Sequence, residues 1–322
     1  MRWRERLAVA IFAGSAGLVI LIMASVIFFI GSNAYQTFTV DHVSPSTFFF
    51  SPIWSPQEGE AGALVLIVGS VTVTLLAALF STPISVGIAL FVTEVAPPWA
   101  RQLMQPVIEL LAGIPSIIYG FLGLIVVVPL ISNVYNTLAG GYFNTGFGII
   151  AATVVLTIMI LPTIGTIAID TLAALPSGLR EASLALGATR WQTIRRTMLP
   201  AASSGIFTGV VLGIGRAIGE TLAVSFVIGS NANSFPIHFT NIYPYIYLQP
   251  TSTVTVQLLF DFAEAPTGSL NYHAIWTLAF VLLVISFGLV ALSRWIASRN
   301  AFNVSTTTKA ETSTTVSLRR AS

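Results

Sequence analysis

Cysteine is absent from the 322 residues. That excludes disulfides, thiolate metal sites and cysteine nucleophiles. Lysine is nearly absent: Lys309 stands alone, in a polar tail. No stretch fits G-x-x-x-x-G-K-[ST], so the chain carries no phosphate-cradling ATPase loop, and ATP-driven work would need an ATPase from another chain. Charge of either sign is scarce, at 8% of residues, where a soluble domain carries about 25%. No Ser/His/Asp arrangement and no pair of carboxylates stands out. The three histidines, His42, His238 and His273, lie far apart. Scattered surface histidines account for them better than a metal site does.

Apolar residues fill the space that charge leaves. They make up 55% of the chain, and the mean hydropathy is +0.86. Such a chain has lipid as its solvent. Six apolar segments are long enough to span, near 7–31, 61–92, 107–131, 147–169, 201–229 and 273–293. Only helices and closed barrels satisfy their backbones in lipid, so the expected fold is an all-α integral membrane bundle. The start, MRWRER and then Leu7–Ile30, resembles a signal peptide. Its apolar run exceeds the usual signal core of about 7–15 residues, so it reads as a retained first span. Pro83, in STPIS, is expected to kink or divide the second span, and Pro115 to break the third.

Arginine placement orients the bundle. Segments 32–60, 132–146 and 230–272 hold no Lys or Arg, while the intervening segments and both ends hold all of them except Arg216. Both termini are then cytoplasmic. The external segments include STFFFSPIWSP at 46–56 and NIYPYIYLQP at 241–250. These fit an interfacial aromatic belt or a docking surface. From Asn300 the tail is rich in Ser and Thr, and composition reads it as disordered.

One polar stretch interrupts the apolar pattern. Residues 181–200 read EASLALGATRWQTIRRTMLP, with Glu181, Arg190, Arg195 and Arg196 charged. Ser177 can cap a helix here, and Glu181 falls in its first turn, where the dipole favours a carboxylate. On a continuous helix Leu184, Gly187, Ala188, Trp191, Ile194 and Met198 share one stripe. A basic amphipathic helix lying on anionic lipid explains this. A helix presented to a cytoplasmic protein explains it too, and Gly187 favours that reading: mid-helix glycine costs about 1 kcal/mol and brings only close approach.

Glu181-Ala182-Ser183, Gly187 and Leu199-Pro200 resemble the EAA signature of bacterial and archaeal ABC importer permeases. Ser183 replaces the usual third alanine, and Thr197 a common isoleucine. The resemblance covers roughly 61–295 and implies a six-span type I ABC importer permease. It also implies that the helix at about 178–196 couples to a separate ATPase subunit through Glu181, Ala182, Gly187, Ala188 and Trp191. Three parts follow: a first helix and external loop at 1–60, a permease core at 61–298, and a polar tail at 299–322.

The fifth span reads FTGVVLGIGRAIGETLAVSFVIG from 207 to 229. Arg216 and Glu220 are four apart, so they are expected on one face of the helix, able to pair. Gly205, Gly209 and Gly213 recur on that face and permit close helix approach. Ionisable groups at this depth suggest function. The pair either holds helices together or lines a translocation path. On a path, Arg216 suits an anion, and Glu220 keeps that anion from being trapped. Glu94, Glu109 and Asp170 lie near cytoplasmic span ends. Glu109 is the deepest and could mark an inner gate, though a satisfied helix-end carboxylate explains it more simply.

GIPSIIYGFLGL at 113–124 and GRAIGETLAVSFVIG at 215–229 resemble the PstC-type permeases of phosphate importers. That resemblance implies a heterodimer with a PstA-type subunit, two PstB-type ATPases, a PstS-type phosphate-binding protein, and phosphate as substrate. An ABC permease for another oxyanion such as sulfate or molybdate, and a stand-alone secondary transporter or channel, are the alternatives.

Overall fold

The computed structural model describes residues 2–138, 145–234 and 249–320. The helices are α1 (Arg2–Thr39), α2 (Pro45–Phe50), α3 (Leu64–Leu90), α4 (Pro98–Gly113), α5 (Ser116–Leu122), α6 (Val128–Leu138) and α7 (Ile149–Ala173). They continue with α8 (Ser177–Ala185), α9 (Arg190–Thr193), α10 (Leu199–Ile218), α11 (Leu222–Ile228), α12 (Val254–Phe262) and α13 (Leu270–Arg320). A two-residue hairpin, β1 (Trp54–Ser55) against β2 (Glu60–Ala61), is the sheet among the described residues.

Six stretches among the described residues are long and apolar enough to cross a membrane: Leu7–Thr39, Leu64–Val95, Ser116–Thr137, Ile149–Ala173, Arg190–Ile218 and Leu270–Trp295. Helix α7 is the axis of the bundle. Its Leu156, Met159, Ile160 and Ile164 are fully buried, packed between α3, α10 and α11. Helix α1 is outermost, and its apolar side chains from Leu7 to Phe29 are largely exposed, as a lipid-facing helix requires. Only its last turns dock, on α13: Thr37 and Thr277 hydroxyls lie 2.7 Å apart, and Thr277 donates to Ala34 O at 3.0 Å.

Three expectations change here, and the break at Pro115 holds. Helix α3 runs undivided through Pro83. The third span, expected over 107–131, is two elements, because Pro115 has no N–H for the carbonyl of Leu111. Helix α4 ends at Gly113, and the span begins at Ser116. The Leu111 carbonyl, which closes the helix end by accepting from Ile114 N–H at 3.4 Å, also accepts the Tyr119 hydroxyl at 2.8 Å across the break. His273 is buried, with Nδ1 2.7 Å from Asp41 Oδ2, because the end of α1 packs on the start of α13. Helix α13 continues to Arg320 through the tail that composition reads as disordered, since no glycine or proline follows Gly288.

The aromatic segment at 46–56 folds inward at two places: Phe48 and Trp54 are buried, while Phe50 and Ile53 are exposed. Trp54 Nε1 donates to Asp261 Oδ2 at 2.7 Å, which anchors the hairpin on α12. His238 and most of the aromatic segment at 241–250 lie outside the described residues.

Candidate translocation site and coupling loop

The polar stretch after α7 is not one helix. Helix α8 ends at Ala185, and Gly187 follows in the left-handed region with φ +82°. That conformation is nearly free for glycine and strained for other residues. The N–H of Gly187 reaches Leu184 O, and that of Ala188 reaches Ser183 O, closing the helix end. Thr189 then opens α9 with a reciprocal capping box to Gln192. Pro176, not Ser177, occupies the cap position of α8. The stripe from Leu184 to Met198 therefore does not exist as a single helical face. Gly187 serves the turn between two short helices.

Hydroxyls staple the two arms of this hairpin. Ser183 Oγ lies 3.0 Å from Thr193 Oγ1, and Thr197 donates to Ser183 at 3.5 Å. Arg180 of α8 forms an ion pair with Glu94, in the π turn that extends α3. The outer surface carries Glu181, Ala182 and Gly187 exposed, with Ala188 half-buried. Leu186 and Trp191 stand 89% and 63% exposed. This is an apolar tip on a polar loop, uncovered among the described residues.

The glycines of α10 face α7. A Cβ on Gly205 would lie 2.3 Å from Thr171, one on Gly209 3.2 Å from Ile167, and one on Gly213 2.8 Å from Ile164. Arg216 continues this seam and donates to Thr163 Oγ1 at 3.1 Å. Glu220 leaves it. Helix α10 stops at Ile218, and Gly219 caps it, so the spacing of four residues no longer places the two side chains on one face. Arg216 and Glu220 form no ion pair among the described residues. Glu220 Oε1 instead faces the N–H of Ala223 at 3.5 Å, in the first turn of α11. The expected i, i+4 pair fails because the helix it assumes is broken. Glu109 is exposed on α4 and accepts from Gln105 at 3.3 Å.

Two sequence motifs far apart in the chain meet here. A Cβ on Gly120 would lie 2.7 Å from Ala223 Cα, and one on Gly123 2.8 Å from Val227. Helices α5 and α11 thus touch backbone to backbone, as small residues allow.

One set of polar residues had no sequence signal. Thr251, Ser252, Thr253 and Thr255 are buried. The Val254 N–H donates to Ser70 Oγ at 2.8 Å, and the Thr255 hydroxyl donates to Glu220 O at 3.1 Å. Composition reads this segment as an external loop. The one hint is that TSTVTV carries no charge.

Residues 81–301 match the family described as binding-protein-dependent transport system inner membrane component. Among similar proteins, the probable ABC transporter permease protein YqgH of Bacillus subtilis (strain 168) is 43% identical over 289 residues, covering 88% of this chain and 89% of that protein. The phosphate transport system permease protein PstC of Xylella fastidiosa (strain 9a5c) is 37% identical over 266 residues, 79% of each chain. That of Mesorhizobium japonicum is 36% identical over 302 residues, 88% of each. Among solved structures, the MetNI methionine ABC transporter in an inward-facing conformation superposes with a TM-score of 0.51 at 17% identity, over 74% of this chain and 95% of that one. This last likeness concerns the fold: a type I importer permease bundle.

Proposed function

The chain belongs to the binding-protein-dependent transport system inner membrane component family, and from that premise we propose that it is the permease subunit of an ATP-driven phosphate importer. The carrying observation is the meeting of the two motifs, Gly120 against Ala223, beside an arginine inside the bundle. The motifs resemble those of PstC-type permeases, and relatives carrying that name align over most of this chain.

The partners in this reading are a PstA-type permease subunit, two PstB-type ATPases and a PstS-type phosphate-binding protein. The arginine-rich face is cytoplasmic, with both termini on that side. The hairpin of α8 and α9 meets the ATPase with Leu186, Trp191 and the exposed residues Glu181, Ala182 and Gly187. Arg216 and Glu220 line the path. An anion crossing the bundle needs a weak cationic step, and Arg216, held by a neutral hydroxyl, keeps its charge available.

The test is uptake of radiolabelled phosphate at low external phosphate, in cells lacking this chain and in cells with it restored. Restored uptake that resists sulfate and molybdate supports the reading. Restoration of sulfate uptake alone transfers the architecture to another oxyanion. Transport without any copurifying ATPase removes the importer altogether.

A further inference from the structure

The buried segment from Pro250 to Val256 does something that neither the coupling hairpin nor Arg216 explains. It is non-helical as far as Thr253, it carries four hydroxyls, and it descends among the spans. Its contact with α3 is Ser70, six residues into that helix from Leu64. At about 1.5 Å per residue the contact lies roughly 9 Å below the helix end. Irregular backbone at such depth is tolerated only where it is buried in protein or lines a polar path.

The segment is buried, and polar groups meet it on one side. Ser70, Thr74, Glu220, Thr253 and Thr255 line a narrow, partly open cleft of about 10 Å³. That holds about one water molecule, and no oxyanion passes it. Few bonds keep it closed. The Val254 N–H reaches Ser70 on α3, and the Thr255 hydroxyl reaches the Glu220 carbonyl. The Thr251 N–H reaches Ile228 O at 3.1 Å. With the Thr255 proton on the Glu220 carbonyl, the Thr253 hydroxyl donates to Thr255 Oγ1 at 3.2 Å. The fit against α3 depends on Gly69, where a Cβ would lie 2.4 Å from Ser252 O.

We propose that Pro250–Val256 is the gate on the arginine-free side of the permease, closed in this structure. It opens by parting from Ser70 and from the Glu220 carbonyl. The Val254 N–H and the hydroxyls of Thr253 and Thr255 then become donors to the incoming oxyanion on its way toward Arg216. The proposal rests on reading the chain as an oxyanion permease, and it assigns that path its entrance.

The absence of cysteine makes the test clean within this subunit. The full transporter complex carrying Ser70→Cys and Thr253→Cys is placed in proteoliposomes and oxidised, and the cross-link is verified by mass spectrometry. Uptake should fall at least tenfold on oxidation and return with reductant. A cross-linked complex that imports at its reduced rate overturns the gate. A second arm uses Thr253→Cys alone with a membrane-impermeant thiol reagent. Labelling should require ATP and vanadate in the Gly69 parent and become nucleotide-independent with Gly69→Ala, whose methyl group displaces Ser252. Labelling indifferent to nucleotide and to Gly69→Ala also overturns it. This arm involves no phosphate. Nucleotide-dependent labelling in a complex that imports no phosphate would therefore keep the gate and discard the substrate.

Discussion

Arg180, on the loop helix α8, is ion-paired with Glu94 at the end of span α3. The pair links the apolar tip of the loop hairpin to a helix that also contacts the proposed gate through Gly69 and Ser70. One span thus touches both the loop hairpin and the proposed gate. The Glu94 side chain is 8% exposed and that of Arg180 44%. Such a half-solvated pair contributes about 1 kcal/mol or less to stability. Arg180→Ala should leave assembly intact, retain ATP hydrolysis in the reconstituted complex and lower uptake per ATP several-fold. Exchanging the charges, Arg180→Glu with Glu94→Arg, should recover part of the loss. A single variant with unaltered coupling ratio would show that the pair carries no motion.

Gly187 makes a sharper prediction about backbone. A side chain at φ +82° costs about 1–2 kcal/mol, although space around the site is open. Gly187→Ala should weaken retention of the ATPase subunit on purification. Gly187→Asn should do so less, because asparagine tolerates the left-handed region. Equal losses from both would mean that contact, not conformation, sets the requirement.

Ser183 and Thr197 are the two departures from the signature, and they touch. Ser183→Ala alone removes the partner of Thr193, which is 2% exposed. That should cost about 1 kcal/mol. Adding Thr197→Ile should recover part of it by filling the space with apolar atoms. A double-mutant cycle on the melting of the detergent-solubilised complex measures the coupling. Strict additivity would mean that the two departures are independent.

The glycine seam between α10 and α7 should tolerate little. Gly213→Val places branched carbons where Ile164 already stands, within 2.8 Å of a bare Cβ. Overpacking of this kind costs about 1–3 kcal/mol. Thermal melting should drop for Gly213→Val and recover when Ile164→Ala makes room. No recovery would indicate that the damage lies elsewhere.

Much of the bundle was legible because lipid demands long apolar runs, and those survive in sequence without partners. The breaks were harder. Pro115 announces itself by chemistry, since it withholds an N–H. Gly187 and Gly219 do not, because a helical wheel assumes that the helix continues. That assumption put Gly187 on a false stripe and Glu220 on the face of Arg216. The segment Thr251–Thr255 falls in an external loop on sequence alone, because 230–272 holds no Lys or Arg. What buries it is Gly69 and Ser70, the latter 184 residues from Val254. No local pattern carries that fact.

Arg216 is where the reading of the path is most exposed to refutation. Its guanidinium has one described bond, to the neutral Thr163 hydroxyl at 3.1 Å, and no carboxylate partner among the described ion pairs. A structural arginine inside a bilayer would be expected to be neutralised by an acid. One held by a neutral hydroxyl keeps its charge without a carboxylate among the described residues. Arg216→Ala should therefore abolish phosphate uptake while the subunit still assembles with its partners, shown by copurification. Arg216→Lys should retain a small fraction, since a point charge lacks the planar fork that matches an oxyanion. Thr163→Val should keep the charge but free its aim, raising the phosphate concentration needed for half-maximal uptake more than it lowers the maximal rate. Normal uptake in the alanine variant would make Arg216 a packing residue at the end of the glycine seam, and the path would have to run elsewhere.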